Sequence, residues 1–309
     1  MERSVLEKEF TSTSTKLLHN LDRLKEIQDG NLRPISIQLA PTDMCNLDCV
    51  FCSVKKRPMK ELTKEECFKA VRDFVDLGAK TIEITGGGDP TMCYYINELI
   101  LYCKDLGLKV GLITNGVLLN KKVRFEVLKC LTWLRVSLNC LDYVKDIELK
   151  VPDGVTLGFS YVWNEKSNLA VLEKIKRYKE KYKARYVRVV PDCRRVKFIK
   201  EYRKKIRPLI RDFPDFFFQE KDYTPPKRCW MGYLKPFVNS DGYVYHCSAN
   251  PLINLKFNEK FRMGHISEIK NIWKNPKPFC TKYCGECFFK EHNELLEMVM
   301  LEVDHRDFI

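Results

Sequence analysis

The chain has 309 residues, 45% hydrophobic and 31% charged, which describes a soluble globular protein with core enough for a domain of about 200 residues and a smaller one. No apolar run approaches the roughly 20 residues that span a bilayer, and the charged N-terminus has no signal-peptide core, so a cytoplasmic protein without a membrane partner is expected. The net charge of +13 is local: Lys174 to Arg211 holds seventeen Lys or Arg against three acids, and the remainder is close to neutral.

In chain order, Leu17, Leu18, Leu21, Leu24 and Ile27 recur at helical spacing and predict a helix over 14–28, ended by Gly30 and Pro34. Strand 35–39 follows, then a cysteine-bearing loop, then a helix opening at Thr63, which makes a capping box with Glu66. Next come strand 81–85, helix 94–106, strand 110–114, helix 120–130, strand 134–138 with a short polar turn or helix, strand 156–162, helix 165–182 and strand 186–190. Six β-runs, each followed by a helix or a helix-length gap, predict an α/β fold whose parallel sheet is wrapped by helices, open or curled. Beyond Pro191 the alternation stops. A basic helical connection (194–211) leads into an aromatic, Pro-rich stretch, Phe213 to Pro226, that marks a domain boundary. In the tail, Pro236 to His246 reads as a β-hairpin turning at Asp241-Gly242, and Leu295, Leu296, Val299 and Val303 mark a final helix.

Fourteen cysteines in a compartment that keeps thiols reduced point to metal ligation rather than disulfides. Cys45, Cys49 and Cys52 form C-x3-C-x2-C on the loop directly after the first strand. Three thiolates on one tight loop can hold three corners of a cubane [4Fe–4S] cluster, and no fourth cysteine lies nearby in sequence to close it. The alternative is structural zinc, which wants four closed ligands and paired C-x2-C knuckles. Gly86, Gly87, Gly88 and Asp89 follow the second strand, where consecutive glycines let the backbone approach a ligand, the alternative being a tight turn. Asn115, in Thr-Asn-Gly, closes the third strand as a ligand or as a turn residue. Ser137 and Asn139 end the fourth. Arg188, between Val187 and Val189 on the sixth, points either inward toward an anion or outward to the basic face.

At the C-x3-C-x2-C loop and the glycine run, the chain resembles the radical S-adenosylmethionine (radical SAM) superfamily. The resemblance implies a partial (βα)6 barrel over 33–195 behind an N-terminal helical extension (1–32), with its site at the C-terminal ends of the strands. It implies an oxidoreductase in which SAM chelates the open iron, an electron from the [4Fe–4S] cluster cleaves it to a 5′-deoxyadenosyl radical, and an external flavodoxin- or ferredoxin-like protein is the one-electron reductant. Cys45, Cys49 and Cys52 are then cluster ligands, and Phe51 is the aromatic beside the adenine. Gly86, Gly87, Gly88 and Asp89 meet SAM's amino group, with Asp89 where the family has Glu. Asn115, Ser137, Asn139 and Arg188 are further SAM contacts.

Cys229 and Cys247 bracket Gly242 as C-x12-G-x4-C, and Cys280, Cys284 and Cys287 precede the last helix. This resembles the SPASM and twitch auxiliary domains of the same superfamily and implies a small cysteine-rich domain, hairpin plus helix, over 227–309 behind a connector at 196–226. The implied second [4Fe–4S] cluster has Cys229, Cys247, Cys284 and Cys287 as ligands and Cys280 as a spare or alternative; a zinc knuckle is the other use of the same thiols. Position 293 is Asn and no cysteine follows Cys287, so one auxiliary cluster is expected rather than two. Cysteines 67, 93, 103, 130, 140 and 193 have no ligand spacing and read as apolar fillers, and His246 and His265 as structural.

The expected substrate is a small molecule or a peptide that loses hydrogen to the radical, with the auxiliary cluster accepting an electron from it. Tyr178, Tyr182, Tyr186, Phe198 and Tyr202 interleave the basic 174–211 segment and support a rival reading, a tRNA- or other nucleic-acid-modifying enzyme. The plainer account of that segment is a solvated outer helix face with its tyrosines packed inward. A third class is a non-enzymatic iron–sulfur scaffold or sensor.

Overall fold

The structure, a computed structural model, describes residues 5–192, 194, 196–219, 224–252, 255–284 and 287–304. The N-terminal extension comprises α1 (Val5–Phe10), α2 (Thr15–Leu18) and α3 (Leu21–Gln28). The helix expected over 14–28 is two, because Asn20 adopts φ −115° and ψ 62°, outside the helical region.

Strands and helices then alternate: β1 (Ser36–Leu39), α4 (Lys64–Asp76), β2 (Thr81–Ile84), α5 (Ile96–Asp105), β3 (Lys109–Thr114), α6 (Leu119–Lys122), α7 (Phe125–Leu128), β4 (Trp133–Ser137), β5 (Thr156–Trp163), α8 (Leu169–Lys181), β6 (Tyr186–Pro191), α9 (Val196–Leu209) and β7 (Phe216–Phe218). The Thr63–Glu66 capping box opens α4 as expected. The helix expected over 120–130 splits, because Val123 and Arg124 are extended.

β1 to β7 pair in sequence order, all parallel. Alternation sorts their side chains. Ile37, Leu39, Ile82, Ile84, Val110, Leu112, Leu134 and Val136 are buried in the core, whereas Gln38, Glu83, Arg135 and Arg188 line a cavity over the opposite, concave face. Gly158 on that face leaves room for its neighbour: a Cβ there would overlap the Tyr186 ring. Phe10 stacks on the same ring at 4.4 Å, so the N-terminal extension covers part of the concavity.

The tail contributes β8 (Arg228–Cys229), α10 (Met231–Leu234), β9 (Phe237–Val238), β10 (Tyr243–Tyr245), β11 (Arg262–His265), α11 (Ile269–Ile272), β12 (Phe279–Cys280) and α12 (Lys290–Val299). β9 and β10 form the expected hairpin, turning at Gly242 with φ +86°. β9 also pairs in parallel with β1, Gln38 opposite Phe237, so the hairpin and β11 extend the barrel sheet to ten strands. That edge is thus occupied, and the barrel remains partial.

Two boundaries need correction. The connector expected over 196–226 has its expected helix, α9, but also a seventh parallel strand, because Phe216 and Phe217 are buried against the sheet rather than carried in a linker. The hairpin of the tail is likewise part of the barrel sheet. No helix among the described residues is long and apolar enough to cross a membrane.

Candidate cluster and cofactor site

The loop after β1 is closed at its base by a bridge between Thr42 and Glu61 and by Leu62 N–H donating to the Pro41 carbonyl at 3.0 Å. Within it Cys45, Cys49 and Cys52 are all half-buried thiols. The C-terminal ends of other strands brace the loop. Asn115, after β3, donates to Asn46 Oδ1 at 2.8 Å and points the same amide at Cys45 Sγ, 4.0 Å away. Tyr143, beyond β4, accepts from Val50 N–H at 2.7 Å. Arg194, beyond β6, donates to the Val50 carbonyl and is held by Asp192 at 2.7 Å. Arg57 Nη2 donates to Cys52 Sγ at 3.1 Å. Neither Arg57, Tyr143 nor Arg194 carries a sequence signal, since each owes its place to the folded loop.

The donor set fits an iron–sulfur cluster. Burial first, then the neighbouring Cys52 and Cys45, pushes Cys49 up to about 12, so a cationic metal centre is what would ionise these thiols together. Among the described residues no group of three or more His, Cys, Asp or Glu is gathered tightly enough to hold a single metal ion. A cubane asks for less convergence, because each thiolate binds its own iron corner.

Gly87 and Gly88 pack directly on this loop, whereas a Cβ on Gly86 would overlap the Gly88 carbonyl. A Cβ on Gly87 would overlap Asp43 Oδ1, and one on Gly88 would overlap the Met44 carbonyl. Gly88 N–H donates to Thr42 O at 3.0 Å and Asp89 N–H to Met44 O at 2.8 Å. Close approach to the cysteine loop is therefore what requires Gly87 and Gly88. Phe51 is half-buried on the same loop.

Asp89 requires a correction as a cofactor contact. It is 4% exposed, and its carboxylate accepts from Thr91 N–H, Thr91 Oγ1, Thr114 Oγ1 and Asn115 N–H at 2.6 to 3.0 Å. It ties the loop after β2 to the end of β3, and no oxygen is turned out to a ligand. Asn139 is corrected likewise: it is buried, with Oδ1 accepting from Val162 N–H at 2.7 Å and Nδ2 donating to Val162 O at 3.0 Å. Ser137, half-buried, ends β4 in register with Ser160 of β5. Arg188 takes the inward alternative and donates to Gln219 Oε1 at 2.9 Å.

The tail thiols converge from three segments. Antiparallel pairing sets Cys229 of β8 opposite Phe279 of β12, and Cys284 and Cys287 lie in the same neighbourhood. Cys229, Cys247, Cys284 and Cys287 line one small cavity with His246, Phe279 and Phe289, whereas Cys280 is exposed and outside that lining. Burial pushes Cys284 up to about 12, with Cys229 and Cys287 adding to it. Asn293, fully buried on α12, donates to Cys229 Sγ at 3.4 Å and accepts from Trp230 N–H at 2.7 Å.

Tyr178, Tyr186 and Tyr202 of the basic segment are 6%, 2% and 3% exposed, whereas Tyr182 is half-buried with Lys181 Nζ 4.8 Å from its ring centroid. Tyr202 donates to Val189 O at 3.1 Å, and Tyr178 accepts from Ile147 N–H at 3.0 Å. The expectation of stacking tyrosines is thus corrected for Tyr178, Tyr186 and Tyr202, whose apolar rings complete the core. Cys193 and the side chain of Phe198 lie outside the described residues.

A family model described as the radical SAM superfamily matches residues 39–206. A second, the SPASM iron–sulfur cluster-binding domain, matches 229–296. The chain is 23% identical over 318 aligned positions to a PqqA peptide cyclase of Bradyrhizobium diazoefficiens, covering 84% of this chain and 77% of that protein. It is 29% identical over 125 residues to an S-adenosylmethionine-dependent nucleotide dehydratase of Flammeovirga pacifica, covering 38% of this chain and 42% of the dehydratase, less than half its length. Among solved structures, Streptococcus suis SuiB bound to its precursor peptide SuiA superposes with a TM-score of 0.57 at 15% identity, over 89% of this chain and 73% of SuiB. That likeness is one of fold.

Proposed function

Because this chain belongs to the radical SAM superfamily, we propose that it is an enzyme that abstracts hydrogen from a small-molecule or peptide substrate lying on the concave face of its half-barrel. The observation that carries this reading is a loop with three thiols and no fourth, braced by the ends of β2, β3, β4 and β6. Cys45, Cys49 and Cys52 would hold a [4Fe–4S] cluster and leave one iron to SAM. Bound there, the pair supplies reductive cleavage of SAM to a 5′-deoxyadenosyl radical that takes hydrogen from an unactivated C–H bond.

The protein's own residues then position and shield. The backbone of Gly87 and Gly88 lies against the cysteine loop with Gly88 N–H bonded to Thr42 O, so the carbonyls of the run are what would meet SAM's amino group. Phe51 offers a face to the adenine and Ser137 a hydroxyl at the neighbouring strand end, while Asn115, donating to Asn46 and accepting from Val117 N–H, braces the cysteine loop. Asp89 and Asn139 hold the backbone that presents them. Arg57 holds the Cys52 sulfur in place.

In the tail, Cys229, Cys247, Cys284 and Cys287 would hold a second cluster with every corner taken. A closed cluster there would suit accepting an electron from the substrate after hydrogen loss, for a net oxidation or a new bond. The peptide cyclase relative supports a peptide substrate and the dehydratase a small one. Anaerobically reconstituted, reduced protein is expected to convert SAM to 5′-deoxyadenosine and, with a deuterated substrate, to carry the label into it. Iron-replete protein that forms no SAM cleavage product overturns the reading.

A further inference from the structure

The concave face of the sheet opens into a cavity of about 880 Å³ that neither thiol site accounts for. Glu83 of β2 stands in its wall, accepting from Lys235 Nζ at 2.7 Å and from Gln38 Nε2 at 2.9 Å. Lys16, from the N-terminal extension, and Arg135 of β4 face the same space. Among the described residues neither has a carboxylate partner. Lys16 Nζ donates to the Glu9 carbonyl at 2.6 Å, and Arg135 donates to Tyr186 Oη at 3.1 Å and the Phe10 carbonyl at 3.2 Å. Lys235 and Arg135 therefore face Glu83 inside the fold, with Lys16 exposed at the rim and Arg188, Glu9 and Glu291 also in the lining.

The local field agrees. Burial and then the charges of Lys235 and Arg135 push the Lys16 ammonium below its usual range. Burial would raise Glu83, but Lys235 and Arg135 outweigh it and hold the carboxyl low and ionised. Arg135 is also fixed in direction, its guanidinium 5.2 Å from the Trp133 ring centroid and 5.9 Å from that of Tyr186. A planar donor fork immobilised between rings is preorganised for an oxyanion.

The position relates this cluster to both thiol sites. Arg135 precedes Ser137, the last residue of β4, by two positions and Glu83 precedes Gly86 by three, so at the rise of a β-strand the charged layer lies about 7–10 Å below the loops at the C-terminal strand ends. On its other side the cavity is lined by Ser248, Phe288 and Phe289, and the last two also line the space among the four tail thiols. The cavity reaches the N-terminal strand ends at Lys80, Lys109, Thr132 and Thr156, so a molecule anchored there by an anionic group would have to extend past Glu83 and Arg135 to reach the cysteine loop.

We propose that the substrate is anionic and that a carboxylate or phosphate on it docks on Lys16, Arg135 and Lys235 in this cavity. What happens to the docked molecule rests on the radical SAM reading; the binding does not. The test is calorimetric titration of the reconstituted, SAM-loaded protein at low salt with inorganic phosphate, pyrophosphate and citrate. Saturable binding of at least one anion is expected, weakened about tenfold or more by Arg135→Gln, as loss of a charge-assisted bond requires. Glu83→Gln should tighten it severalfold by removing the acid from the cluster. Phosphate or pyrophosphate binding without citrate assigns a phosphorylated substrate, and citrate alone a carboxylate. No saturable heat with any of them, or affinities unchanged in both variants, overturns the proposal, and Glu83→Gln decides alone if Arg135→Gln does not fold. Protein that cleaves SAM but binds no anion fails this inference only; protein that binds anions but cleaves no SAM fails the superfamily chemistry only.

Discussion

Cys45, Cys49 and Cys52 lie within one loop, half-buried, at the C-terminal edge of a parallel sheet. Cys229, Cys247, Cys284 and Cys287 come from β8, the end of the hairpin and the turn before α12, and they converge only because β8 pairs with β12 and the hairpin joins β1. Local spacing suffices to build a three-donor site with an open corner. A four-donor closed site in this chain needs the tertiary fold, and it is wrapped in Phe279, Phe288 and Phe289. Openness suits a centre that must bind and cleave a cofactor; enclosure suits one that passes electrons without side reactions.

The largest expected effect separates the two. Cys45→Ala should reduce 5′-deoxyadenosine formation to background while the tail iron remains, as read by iron content and product assay. Cys284→Ala should lose about half the iron and the product of substrate oxidation, yet still cleave SAM. Undiminished product from a variant whose first cluster is intact would refute electron transfer by the tail site. Cys280→Ala, at the exposed thiol outside the cavity, should change neither quantity.

Smaller effects come from the groups behind each set of thiols. Asp89→Ala leaves four donors without their acceptor and should cost about 2–4 kcal/mol in denaturant unfolding, with SAM affinity weakened as the glycine loop loosens. Asn293→Leu orphans the Trp230 N–H and removes the donor to Cys229, so about 1–3 kcal/mol of stability and a shifted potential of the tail cluster alone are expected. Smallest is the pH response of Glu83, in the cavity wall below the strand ends. Its folded pKa lies below the ordinary 4.5, so its contribution is complete above that value and is lost as pH falls through the folded one. Glu83→Gln should flatten that acid limb of the unfolding curve.

The sequence carries these two regions unequally. The six-strand alternation, the capping box and the hairpin turn are local patterns, and the structure has each of them. The seventh strand does not announce itself, because Phe216 to Phe218 beside prolines reads as a linker until β6 is there to pair with it. Asp89 and Asn139 show a different limit: a polar residue at a strand end looks the same whether its partners are a ligand or backbone across the sheet. Glu83 and Arg135 did leave a trace, each a lone charge inside a short apolar strand, but their meaning depends on Lys235 from a distant segment.

The central claim is the open iron corner at Cys45, Cys49 and Cys52. It is tested most directly by the electron paramagnetic resonance spectrum of reduced Cys284→Ala protein, which removes the tail signal, recorded before and after addition of SAM. A shifted cluster signal on addition is the predicted result. An iron–sulfur signal that SAM leaves unchanged, or zinc in place of iron on that loop, would contradict it.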